Sequence, residues 1–210
     1  MSTERRTAND TVELRSEGET VVATGYAAVF NSLSSNLGGF VERIEQGAFT
    51  KTLKESDTRA MWNHDPNHLL GRVSAGTLRL AEDDHGLRYE IDLPNTTLGQ
   101  DVAELLRRGD VTGSSFGFRV IEDGWGEAES GFPLRTLTQV SLRDVGPVAL
   151  PAYADTEAGL RSLAEARSID LTDLTQAAQA NRLGDLLFPT DDQEPGDPHS
   201  NNVRRHWAFR

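Results

Sequence analysis

Strand-like segments follow one another along most of the chain without a helix between each pair, and this order constrains the fold more than any other feature. Parallel strands need a long crossover connection, whereas strands that follow one another directly pair antiparallel. The sequence therefore predicts a mainly β, α+β fold, which we expect to be a small closed antiparallel β-barrel with flanking helices. The segments that indicate strands are TVELR, ETVVATGYAAVF, FVERIE, RAMWNHD, GTLRLAEDD, GLRYEIDLP, SSFGFRVIEDGW and LRTLTQVSLRDVGPVAL.

The length of 210 residues fits one domain of ordinary size with unstructured ends. Residues 1–10 are polar and are predicted to be a flexible N-terminus, and residues 11–168 are predicted to form the domain. Residues 169–210 are predicted to be helical at first and then a disordered acidic tail, because Asp, Gly and Pro crowd that end of the chain.

The clearest helix is predicted over residues 97–108. Thr97 and Gln100 form a capping-box pattern at its start, and four apolar side chains share one face of it. Gly109 follows the last turn and is expected to end the helix.

Composition excludes several classes of function. The formal net charge of −12 argues against a general affinity for nucleic acid or an anionic membrane, since an acidic surface repels both. The absence of cysteine excludes a disulfide scaffold, a thiolate nucleophile and a zinc ribbon. No segment approaches the roughly 20 apolar residues that a membrane span needs, and no glycine-rich phosphate loop is present. We therefore expect protein partners and a cytoplasmic location.

The block GSSFGF carries the first candidate for chemistry. In an extended strand, Ser114, Phe116 and Phe118 share one face, while Ser115 and Gly117 share the other. The aromatic face is expected to be core, which leaves Ser115 facing away from the core beside a residue without a side chain. A substrate backbone would then be able to approach its hydroxyl closely. An ordinary edge-strand serine next to a glycine bulge fits the same pattern.

A serine nucleophile needs a base within hydrogen-bond reach, most often an imidazole. His64 follows a predicted strand at its end, where it can be held rigidly, whereas His68 lies beyond Pro66 in a loop. His64 is therefore the candidate base. The remaining histidines fall in a hairpin turn or in the predicted tail, and they are His85, His199 and His206.

The segment HDPNH also suggests a metal site made of His64, Asp65 and His68. Pro66 breaks the helix that would bring both imidazoles to one face, so we expect no metal there.

A third group should orient the imidazole and stabilise its charged form, and Asp144 in LRDVGPV is the candidate. Strict alternation places Asp144 on the same face as Leu142, which would bury it in the core. A bulge or a strand end near Gly146 would turn it toward Ser115. Without such a bulge the role would fall to Asp65 or to water.

Four blocks, in this order, resemble the prohead maturation proteases of tailed phages, and they are GYAAVFN, WNHD, GDVTGSSFGF and LRDVGPVALPAY. The likeness spans about Thr20 to Ser162. It implies that residues 11–168 form a serine protease domain. It implies a fold like that of the herpesvirus assemblin proteases, with the catalytic groups outside a β-barrel. The family's histidine falls on His64 and its serine, directly before Phe-Gly-Phe, on Ser115. Assemblin relatives use a second histidine as third residue, whereas this family usually shows an acid where Asp144 stands.

The resemblance implies a serine endopeptidase without a cofactor. It would cut the scaffold protein or the major capsid protein during prohead maturation, and possibly itself, inside the immature capsid in the bacterial host cytoplasm. A homodimer is also expected. The tail, which ends in VRRHWAFR, would be a self-cleaved appendage, a capsid-docking peptide or a dispensable end. Two rival interpretations are a non-catalytic barrel that binds capsid or scaffold subunits and a hydrolase that uses two carboxylates.

Overall fold

The computed structural model describes residues 3–8, 10–18, 20–150 and 156–188. These residues form a mixed α+β structure with more strand than helix, as the sequence predicts. Short 3₁₀ turns lie at Trp62–His64 and Val73–Ala75. The strands are β1 (Glu4–Ala8), β2 (Glu13–Glu17), β3 (Thr20–Val29), β4 (Val41–Ile44), β5 (Arg59–Met61), β6 (Leu69–Arg72), β7 (Leu78–Glu82), β8 (Gly86–Asp92), β9 (Gly113–Glu127) and β10 (Pro133–Val148). The helices are α1 (Thr50–Glu55), α2 (Thr97–Arg108), α3 (Thr156–Arg167), α4 (Leu171–Gln179) and α5 (Leu183–Leu187).

The strands form two sheets, so the expectation of a single closed barrel is wrong. One sheet has the order β1-β9-β10-β5-β6, with β4 also pairing with β10, and the other has the order β2-β3-β8-β7. A barrel closes only when each strand has paired neighbours on both sides. Among the described residues, β1 and β6 end the first sheet and β2 and β7 end the second. Alternation along a strand indicates which side chains face the core but does not say which strands pair.

The core lies where aromatic side chains of β9 meet the second sheet. Phe116 and Phe118 are 1% and 0% exposed, which confirms the predicted core face of GSSFGF. Their rings stack with centroids 4.9 Å apart, and Phe49 meets Phe116 edge-on at 5.6 Å. Tyr89 of β8 belongs to the same cluster and is fully buried. This cluster supports β9 from one face and leaves the other face for the site.

The helix predicted over residues 97–108 is present as α2. Gly109 ends it in the left-handed region with φ 74°, as its sequence position predicts. The capping residue differs from the prediction, because the side chain of Thr96 and not that of Thr97 accepts a hydrogen bond from the first turn, from Gly99 N. The helix therefore begins with an ordinary threonine cap one residue earlier than the capping-box pattern suggests.

The N-terminus differs from the flexible segment predicted for residues 1–10. Glu4–Ala8 forms β1, which pairs antiparallel with β9. Its charged side chains point inward, since Glu4 and Arg6 are only 1% and 7% exposed. They are held by ion pairs with charged residues of β4 and β10, which an average polarity cannot reveal.

The helices after β10 pack on a second hydrophobic cluster. Leu163 of α3 and Leu174 of α4 are both fully buried there, together with Phe40. The boundary predicted between residues 168 and 169 thus runs through one cluster, and the division of the chain at that point stays a prediction. The tail expected to be disordered lies mostly at residues 189–210, outside the described residues. Within the described part of the chain, no helix is long and apolar enough to cross a membrane.

Candidate active site

Strand β9 carries the two adjacent serines, and the structure gives them different surroundings. Ser114 faces the core, where its hydroxyl lies 2.7 Å from the Tyr89 hydroxyl in a buried hydrogen bond. Burial raises the pKa of Tyr89, while the Ser114 hydrogen bond partly offsets this. Ser115 points to the opposite face, as the alternation predicts. The hydroxyl of Ser114 is therefore engaged in the core, and Ser115 is the serine available to the site.

His64 reaches Ser115 from the short turn that follows β5. Its Nε2 lies 2.7 Å from Ser115 Oγ. Asn63 and His64 both have left-handed backbones, with φ 53° and 59°, which is uncommon for residues with side chains and is concentrated at functional sites. Asn63 Oδ1 accepts a hydrogen bond of 2.8 Å from Ala149 N, which ties the turn to the end of β10. The strand predicted through His64 thus ends earlier, at Met61, and the turn that follows it aims the ring at Ser115.

Asp144 lies on the other side of the same ring, with its Oδ2 2.9 Å from His64 Nδ1. A shift in strand register makes this contact: Leu142 pairs with Phe118, but Asp144 pairs with Gly117, so one extra residue is accommodated between them. The predicted bulge therefore exists, one residue before Asp144 rather than near Gly146. It turns the carboxylate away from the core and toward the face that carries Ser115.

Gly117 provides the room for that carboxylate. A Cβ atom at this position would lie 2.2 Å from Asp144 Oδ1, far closer than any ordinary contact. The space beside Gly117, which the sequence suggested as an approach route for a substrate, is therefore filled by the side chain of Asp144.

Neither Asp65 nor His68 contributes to this arrangement. Asp65 Oδ1 accepts hydrogen bonds from Asn67 N and Asn67 Nδ2, and the backbone bond is the main cause that lowers the pKa of Asp65. His68 pairs with Asp65 at 3.2 Å, with about half of the imidazole exposed. The part of the chain that the structure describes contains no group of three or more His, Cys, Asp or Glu side chains placed to hold a metal ion.

Ser115 has a second hydrogen-bond partner that no sequence pattern indicated. The Ser115 hydroxyl also lies 2.8 Å from the backbone carbonyl oxygen of Arg6 in β1, and Ser115 is 0% exposed. The hydroxyl has one hydrogen and two acceptors, Arg6 O and His64 Nε2. It can donate to only one of them at a time, so β1 covers the serine and its Arg6 carbonyl competes with His64 for the hydroxyl proton.

A serine hydroxyl, an imidazole and a carboxylate joined in this order form the arrangement that serine hydrolases use. Residues 7–173 match the family described as caudovirus prohead serine protease. This chain therefore belongs to the caudovirus prohead serine protease family, whose members are proteases of phage capsid maturation. The solved structure of the bacteriophage T4 capsid assembly protease, gp21, matches with a TM-score of 0.49 and 11% identity, over 70% of this chain and 96% of that chain. Among curated proteins, none matches this chain at a significant level.

Proposed function

We propose that this chain is a serine endopeptidase in which Ser115 is the nucleophile, His64 the general base and Asp144 the group that orients the imidazole. Its substrates are the scaffold protein or the major capsid protein, and the chain itself, inside the immature capsid in the host cytoplasm. The observation that carries this proposal is the pair of hydrogen bonds on one ring, 2.7 Å from Nε2 to Ser115 Oγ and 2.9 Å from Nδ1 to Asp144 Oδ2.

The chemistry follows from those two contacts. Ser115 Oγ attacks the carbonyl carbon of a peptide bond while its proton passes to His64 Nε2. Asp144 accepts the Nδ1–H hydrogen bond, which fixes the tautomer that leaves Nε2 free to accept and stabilises the imidazolium that forms. His64 then gives the proton to the leaving amine, and water releases the acyl group from Ser115.

The tetrahedral intermediate also needs donors for its oxyanion. Arg143 is the residue at the bulge before Asp144, and its side chain is exposed. A role for Arg143 in stabilising the oxyanion stays a prediction. We also expect an assemblin-like fold and a homodimer.

The experiment is co-expression with the major capsid protein and the scaffold protein of the same phage, with the intact mass of every chain as readout. We expect wild type and Ser114→Ala to shorten the partner chains, and Ser115→Ala and His64→Ala to leave them whole. Removing a serine nucleophile or its base costs about 10⁴-fold or more in rate. Ser114→Ala is the matched control because it removes the neighbouring hydroxyl of the same strand.

The rival function is a non-catalytic assembly protein that binds capsid or scaffold subunits. It would replace the protease proposal if wild type and all three variants left every chain intact under assembly conditions while still binding the partner.

A further inference from the structure

Strand β1 forms the edge of the first sheet beside Ser115. It pairs antiparallel with β9, with Thr7 opposite Ser115 and Arg6 opposite Phe116. Addition of an extended strand to a sheet edge is a common way for a domain to bind a peptide. The carbonyl oxygen of Arg6 is the backbone group at the Ser115 hydroxyl, 2.8 Å away. If β1 marks the path of a substrate, Arg6 stands at the position before the bond that is cut.

The side chain at that position sits in a built pocket. Arg6 Nε lies 2.8 Å from Glu42 Oε1, and Arg6 Nη2 lies 3.1 Å from Glu42 Oε2, so the guanidinium and the carboxylate meet in a two-point contact. Glu42 lies on β4 and its side chain is 2% exposed. The guanidinium also lies over the Phe118 ring, 5.5 Å from its centroid. A planar two-point contact of this kind favours arginine over other side chains.

A second charged subsite lies two residues back along the same strand. Glu4 Oε2 is 3.1 Å from Arg135 Nη1, and the Arg135 side chain is 0% exposed. Arg135 is anchored independently of β1 by Asp123 at 2.6 Å and by Ser162 at 2.9 Å. The position between Glu4 and Arg6 is Arg5, which is exposed. The sheet therefore offers fixed partners for an acid and for a base, separated by one unrestricted residue.

The charges that β1 would leave behind also favour such an occupant. Glu42 and Asp123 are two carboxylates, against the one guanidinium of Arg135. Without β1 these three side chains carry one net negative charge, which favours a cation at the position of Arg6, while Arg135 Nη1 still faces the position of Glu4. An extended segment with the pattern acid, any residue, Arg or Lys is the occupant that satisfies both positions.

We propose that Glu42 and Arg135 determine substrate specificity, by recognising an extended segment with an acid two residues before a basic residue, and that the bond after this basic residue is cut. Residues 4–6 of β1 are such a segment, so the bond between Arg6 and Thr7 is the first one cut. This inference rests on the proposed protease function. In the cut, the C–N bond of Arg6–Thr7 breaks, the Arg6 carbonyl is held as an ester on Ser115, and Thr7 N leaves with the proton from His64. Water then releases Arg6 as a free carboxylate.

The first test is the intact mass of the full chain after incubation under assembly conditions. We expect wild type to lose residues 1–6, Arg6→Gln to lose them more slowly, and Arg5→Gln, the exposed neighbour, to behave as wild type. Loss of a charged two-point contact should slow the cut by about ten- to a hundredfold in Arg6→Gln. A new N-terminus at another residue in wild type, or an unchanged cut in Arg6→Gln, would overturn the inference.

The second test separates recognition from any effect on folding. The substrates are a peptide of residues 1–10 and the same peptide with Gln at position 6. Each is incubated with wild type, Glu42→Gln and Glu45→Gln. Glu45 is the control because it is an exposed carboxylate directly after β4. We expect wild type and Glu45→Gln to prefer the arginine peptide by about tenfold or more in kcat/KM, and Glu42→Gln to lose the preference. A ratio of rates within one variant does not change when the variant merely folds less well. If wild type cuts capsid chains but never after a basic residue, the specificity inference fails and the protease proposal stands; if wild type cuts nothing, both fail.

Discussion

Gly117→Ala should disable the site without altering any of the three side chains proposed to react. An added Cβ would lie 2.2 Å from Asp144 Oδ1 and 3.3 Å from Asp144 Cγ. The two residues are directly paired across β9 and β10, so the backbones cannot separate without breaking the ladder. The carboxylate therefore has to move, and reaching an ordinary contact of about 3.5 Å requires a shift of roughly 1 Å.

The effect on catalysis follows from the length of the hydrogen bond between Asp144 and His64, which this shift breaks. Asp144 Oδ2 lies 2.9 Å from His64 Nδ1, and a displacement of roughly 1 Å takes the pair beyond about 3.6 Å, where no hydrogen bond remains. A misplacement of about 1 Å in a catalytic group costs about 10²-fold, and loss of the correct imidazole tautomer costs about 10⁴-fold. We expect kcat for cleavage of the capsid substrate to fall by about 10²- to 10⁴-fold. Overpacking should also lower the free energy of unfolding by about 1–3 kcal/mol.

Gly124→Ala is the matched control, because it lies on the same strand and a Cβ there would meet nothing within 4 Å. The rate is measured from the mass of cleaved chains over time, and folding of each variant is checked by thermal unfolding. A folded Gly117→Ala protein with the wild-type rate would refute the reasoning, because it would show that the position of Asp144 does not matter for the base.

Other predictions concern single side chains. Asp144→Asn should fold normally and lower kcat by about 10⁴-fold, as measured with the same mass assay, because the amide favours the wrong imidazole tautomer. Ser114→Ala should keep the wild-type rate but lower the free energy of unfolding in urea by about 1–3 kcal/mol, because the buried Tyr89 hydroxyl loses its partner; unchanged stability would contradict this. The hydrogen bond from Arg72 lowers the pKa of Asp57 to about 2, so the stability that this contact adds is present above the ordinary pKa of 3.8 and is lost as the pH falls toward 2. Asp57→Asn should therefore flatten the pH dependence of the urea midpoint in that range, and a curve identical to wild type would count against the contact.

The placement of Ser115 and His64 was predictable because each depends on local rules. Alternation along a strand decides which face Ser115 occupies, and the end of a short strand decides where His64 can be held. Both rules use only neighbouring residues. Most of the strands and the helix α2 were predictable for the same reason, since their periodicities and the glycine after the helix are local signals. Strand β6 was not, because its residues follow Pro66 in a segment that the sequence places in a loop.

The placement of Asp144 depended on information that the sequence does not carry. Its direction changes with one extra residue in the pairing of β10 with β9, and a bulge can be located only when the partner strand is known. The absence of barrel closure has the same cause, because which strands pair is a long-range property. The strand at residues 4–8 was missed for a different reason: its buried positions are charged, and their partners Glu42 and Arg135 lie far along the chain.

The charged character of β1 also bears on how the site would open. An apolar strand in this position would be held by the free energy of burying its side chains, which is lost in full when it leaves. Charged side chains regain their hydration in water, so an ion pair that is buried at considerable desolvation cost adds little net stability. The same side chains still reject an occupant with the wrong charges, since such an occupant would place a like charge against Glu42 or Arg135. On the proposal above, matched charges thus give β1 a defined register against Ser115 but hold it less firmly than apolar contacts would. Both properties suit a segment that has to be cut and released before another chain can enter the site.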